Sequence, residues 1–102
     1  MAELKLIEIR DRKDFYYWKI YKYGQFKVIV DIDDNRCKIE AEDENKNFNI
    51  LAIDKKPAIL SFSMAMVTSK NADKFLELVN QGTELLKIID ERREELIKKE
   101  TK

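Results

Sequence analysis

A chain of 102 residues that is 44% hydrophobic and 39% charged, with two glycines and one proline, fits one regular globular domain spanning residues 1–102. Twenty Lys and Arg balance twenty Asp and Glu, which counts against simple bulk attraction to nucleic acid, and the absence of histidine excludes imidazole-based catalysis. The lone Cys37 excludes an intrachain disulfide and a multi-cysteine zinc site. With no signal-peptide pattern and no apolar run approaching the roughly 20 residues of a membrane span, the expected location is cytoplasmic, away from any membrane.

The first two-thirds of the sequence alternate with period two. Leu4 and Leu6 mark a first strand, with Ile7 and Ile9 on its opposite side. A second strand covers Phe15 to Tyr23, and Tyr23-Gly24 supplies a turn because glycine accepts positive φ without steric cost. Phe26, Val28, Val30 and Ile32 alternate through a third strand. Asp33-Asp34-Asn35 is a polar turn, followed by a fourth strand through Cys37, Ile39 and Ala41. Phe48, Ile50 and Ala52 resume the pattern, and Ala58 to Thr68 reads as a last strand after Lys55-Lys56-Pro57. Short connections make these strands an antiparallel meander of about four to six.

At Ser69 the period changes. Ser69 or Asn71 is placed to cap a helix over residues 69–102. Phe75, Val79, Gly82, Leu86, Ile89, Arg93 and Leu96 follow coiled-coil spacing, with a broader apolar face alongside. Gly82 marks a kink, a break or a close crossing. Beyond Asp90 the nearly all-charged tail is marginal as a lone helix, so pairing with a second copy through Leu86, Ile89, Arg93 and Leu96 is expected to hold it. The fold class is therefore α+β: an antiparallel sheet over residues 1–68 and a long C-terminal helix.

No phosphate-binding glycine loop and no recognisable pair of catalytic carboxylates occurs, so an enzyme is not expected, nor a cofactor. Asp31, Asp33, Asn35 and Glu42 occupy calcium-loop positions, but Arg36 stands where that loop needs glycine, and the flanks alternate as strands. A solvated hairpin explains the run better, and no metal site is expected.

The informative stretch is DFYYWKIYKYGQF, residues 14–26, which holds seven of the ten aromatic side chains. Tyr16, Trp18, Ile20 and Lys22 lie on one side of the strand, where Trp18 and Ile20 suit a core. Phe15, Tyr17, Lys19, Tyr21 and Tyr23 lie on the other, a ladder of rings with a lysine among them. Open rings beside lysines suit stacked bases and phosphates. Tyr17, Tyr21 and Tyr23 are the candidate stacking residues, with Lys19, Lys22, Lys27, Lys55 and Lys56 as candidate cations. Residues 1–30 and 55–70 are each locally basic, at +3, although the whole is neutral. The expected ligand is single-stranded DNA or RNA, bound with little sequence preference. A protein–protein module, such as a small accessory or viral protein gripping a partner through the same rings, accounts for the pattern equally well.

The YYWKIYKY strand, the helical seam from Phe75 to Leu96 and a Lys/Glu/Ile-rich composition typical of hot environments together resemble the single-stranded-DNA-binding ThermoDBP proteins and their shorter relatives. The likeness covers most of the chain as architecture. It implies a homodimer joined through the helices, with a cleft that stacks bases on aromatic rings. A looser likeness is to the PC4-like coactivators, which also place a helix after an antiparallel sheet and bind single strands as dimers.

Overall fold

The computed structural model describes residues 3–41, 48–52, 56–59 and 68–99. Five antiparallel strands, β1 (Lys5–Arg12), β2 (Tyr16–Tyr23), β3 (Phe26–Asp31), β4 (Arg36–Ala41) and β5 (Phe48–Ala52), pair strictly in chain order. Helix α1 (Ala72–Glu91) and the short α2 (Arg93–Leu96) follow. The α+β meander-then-helix plan read from the sequence is thus the plan of the molecule. The strand expected over Ala58 to Thr68 lies outside the described residues from 60 to 67.

Turn chemistry sets the register. Gly24 adopts φ +55°, so the two-residue loop Gly24-Gln25 joins β2 to β3 with Tyr23 opposite Phe26. Asn35 takes φ 56° at the next turn, where the Asp34 N–H donates to Asp31 Oδ1 at 3.2 Å. Asp14 does the same between β1 and β2, with φ 72°. A register shift between Leu6 and Glu8 puts a bulge in β1.

The helices cover one side of the sheet. Phe75, Leu78, Gly82, Leu85 and Ile89 are the buried positions of α1, and Arg93 and Leu96 those of α2. Leu78, Leu85, Ile89 and Leu96 join one core with Tyr21, Tyr23, Phe26, Val28, Val30, Cys37 and Ile39. The three-and-four spacing of the helix is therefore used against the chain's own sheet. Helix α1 runs unbroken through Gly82, which is buried, and the interruption falls at Arg92 instead. Asn71 is the N-cap residue, but its side chain makes no cap bond; Oδ1 accepts from the Thr68 N–H at 2.7 Å.

Two outcomes follow from this packing. A Cβ at Gly24 would come within 2.9 Å of Gln81 Oε1, which accepts the Gln25 N–H at 3.4 Å. With the left-handed backbone added, Gly24→Ala costs about 1–2 kcal/mol, read as a lower urea midpoint with an unchanged m-value. Burial pushes the Cys37 thiol up to about 12. The folded state therefore keeps its proton above pH 9 while the unfolded chain loses it, so stability falls as pH rises. Relative to Cys37→Ala, wild type loses about 1.4 kcal/mol per pH unit between roughly pH 9 and 11. A pH-independent difference between the two proteins sinks this assignment.

Candidate nucleic-acid interface

The tyrosine ladder faces the helix. Tyr17, Tyr21 and Tyr23 are 5%, 2% and 2% exposed, and Lys19 is fully buried. This reverses the expected orientation of β2, and it closes these four residues to stacking or phosphate contact. The reason is register. Tyr21 lies opposite Val28, which lies opposite Ile39; Lys19 lies opposite Val30, which lies opposite Cys37. Directly opposed residues share a side of the sheet, so β2 presents its tyrosines wherever β3 and β4 present their aliphatic residues. A tyrosine tolerates the position because its hydroxyl can reach the core's rim. That of Tyr23 donates to Glu84 Oε2 at 3.1 Å, and burial together with this carboxylate raises its pKa.

Lys19 has a structural task. Its Nζ donates to the main-chain carbonyls of Glu95, at 2.9 Å, and Lys98, at 3.0 Å, and lies 5.6 Å from the Tyr21 ring centroid. The last carbonyls of a helix have no intrahelical donor and carry partial negative charge. A lysine on the sheet adds a charged donor at this end of the chain's helical segment, where Glu95 O also accepts the Lys98 N–H at 3.3 Å. Lys99 continues the closure, with Nζ 5.4 Å from the Tyr17 ring centroid and 3.5 Å from Asp33 Oδ1.

The residues expected to join two copies are occupied in the same way. Ile89 and Leu96 are fully buried and Arg93 is 7% exposed, all within the chain; Leu86 is half-buried. Arg93 bonds Asp90, and Asp90 accepts the Ala58 N–H at 3.1 Å. Arg92 Nη1 donates to the Leu4 carbonyl at 3.3 Å. Up to Lys99, the tail after Asp90 is held by contacts within its own chain.

Among the described residues, no helix covers the opposite side of the sheet, its open side. By register it carries Tyr16, Trp18, Ile20 and Lys22 of β2, Lys27, Ile29 and Asp31 of β3, and Arg36, Lys38 and Glu40 of β4. Lys5, Glu8, Arg10 and Arg12 of β1 extend it. Seven basic side chains thus stand among three acidic ones. Ile20 is buried, but Trp18 and Tyr16 are half-buried, with ring centroids 4.5 Å apart and planes tilted by 32°. Trp18 Nε1 is buried without a hydrogen-bond partner. Beside the indole lies a cavity of about 250 Å³ lined by Trp18, Ile29, Asp31, Asp34, Arg36 and Lys38. Arg10 bonds Glu8, which holds that carboxyl below its ordinary range, and Lys38 pairs with Glu40 at 3.1 Å.

Of the cations read from the sequence, Lys22 and Lys27 belong to this side. Lys56 lines a separate cavity, with Asp90 to Glu95 and Ile97, at the junction of α1 and α2. Lys55 lies outside the described residues. Missed were Tyr16, Trp18, Arg10, Arg12, Arg36 and Lys38. The signal for them was the polar half of the alternation in β3 and β4, carried to β2 through the Gly24 turn. Among the described residues, no group of His, Cys, Asp and Glu is placed to hold a metal ion, and no helix is long and apolar enough to cross a membrane.

Compared with protein families, curated proteins and solved structures, the chain matches none of them.

Removing the Lys19 ammonium takes a charged donor from the Lys98 carbonyl and from the Glu95 carbonyl, which also accepts the Lys98 N–H at 3.3 Å. Lys19→Met is expected to lower unfolding free energy by about 2–4 kcal/mol, through two charge-assisted bonds and the helix-end charge. Protection of the Glu95 to Lys98 segment against hydrogen exchange is expected to fall first. A variant as stable as wild type would remove Lys19 from this role.

Proposed function

We propose that the protein binds single-stranded nucleic acid across the open side of its sheet, with little sequence preference. The observation that carries this reading is the Tyr16–Trp18 ring pair, 4.5 Å apart, set among Arg10, Arg12, Lys22, Lys27, Arg36 and Lys38. Single-strand binders combine aromatic platforms, on which any base can stack, with cations that follow the phosphates. The pattern of charge suits that path. Arg12 and Arg36 are exposed on strands flanking the rings, and an extended backbone crossing β1 to β4 passes both. The function implied by the likeness to ThermoDBP proteins is retained, but the surface is the other one. Neither a metal nor a cofactor is needed for it.

Trp18 is the chain's only tryptophan, so its emission reports directly on the platform. Titration with a single-stranded oligonucleotide is expected to quench it, with affinity falling as salt rises by about 0.7 log unit per log unit of salt for each phosphate contacted. Trp18→Ala should weaken binding about ten- to a hundredfold, the range of one lost base stack. Tyr21→Phe, on the covered side, should leave it unchanged. Absence of binding at low salt, or binding indifferent to Trp18→Ala, overturns the proposal.

A further inference from the structure

Strand β1 is an edge of the sheet, and among the described residues no strand pairs with its outer side. Seven of its eight residues are exposed, including Leu6 and Ile7 at 40% and 55%. An edge of this length presents unpaired backbone N–H and C=O groups as a template for another strand. We infer that β1 pairs antiparallel with β1 of a second copy, about a twofold axis through Ile9, to make one continuous ten-stranded sheet.

The charge pattern selects both the occupant and the register. Glu8 and Arg10 point to the open side and already bond each other within the chain. A twofold axis at Ile9 sets Glu8 opposite Arg10 of the partner subunit, and Arg10 opposite the partner's Glu8. Four charges then alternate in sign around a square, with every neighbouring pair attractive. Centring the axis on Glu8 or on Arg10 opposes like charges. Shifting the register by one residue sets Glu8 against the partner's Ile9 or the partner's Asp11. Ile9 alone gives a charge-matched ladder, and its side chains meet across the axis on the helix side. The bulge between Leu6 and Glu8 limits the ladder at one end, which favours a reversible dimer. Because the paired residues share a side, the axis is perpendicular to the sheet, and the open sides of both copies join into one surface.

Sedimentation over a concentration range up to about 1 mM tests this without nucleic acid, so its outcome is separate from that of the binding proposal. Wild type is expected to rise from the 12.2 kDa monomer toward twice that mass. Glu8→Arg and Arg10→Glu, both at exposed positions that spare the core, should each raise the dimer dissociation constant at least about tenfold. An equimolar mixture of the two variants restores opposite charges at every contact and should recover the dimer. A wild type that stays monomeric throughout, a dimer indifferent to both substitutions, or a mixture no better than its components overturns the inference.

Discussion

The ammonium of Lys19, bonded to the carbonyls of Glu95 and Lys98, is the interaction on which the arrangement of sheet and helix depends. A charge taken fully out of water costs several kcal/mol unless it is well bonded. The last carbonyls of a helix carry the complementary partial negative charge. The two meet here, and only when the helix lies across β2 with its C-terminal end over Lys19. Tyr23 with Glu84, and Gln25 with Gln81, fix α1 farther back along the chain. The apolar ridge supplies most of the burial; these polar bonds decide where along the sheet it settles.

Much of this architecture could be read from residue order. The strands up to β5, the turn at Gly24, the polar turn Asp33-Asp34-Asn35 and the long helix follow from local chemistry. The face of β2 did not, because rings on both sides of YYWKIYKY erase its own alternation. Its neighbours keep theirs: Val28 and Val30 stand against Lys27 and Asp31, and Cys37 and Ile39 against Lys38 and Glu40. A two-residue turn transmits that choice across the hairpin. A lysine at a covered position misleads any reading by hydrophobicity alone, since its reason for being there is a helix end more than seventy residues away. The helical seam misled for a related cause: its spacing states that one side is buried, not against what.

Neutral composition likewise conceals how charge is arranged. The open side of the sheet has seven basic residues to three acidic, whereas the helical segment 72–96 has seven acidic to four basic. Lys70, Lys98 and Lys99 flank that segment, so its acidic excess is local to the helices. Within a Debye length of about 8–10 Å, an ion near either surface meets this local charge rather than the net charge of the chain.

The bond between β2 and the helix end also orders events during synthesis. The donor precedes its acceptors by 76 and 79 residues. While the chain is still being made, the meander can form its hairpins, but the lysine on its inner side must stay hydrated, which keeps that side from closing. Non-local closure of this kind waits until residue 98 has emerged. The segment Glu95 to Lys98 thus supplies the acceptors that let this lysine give up its water.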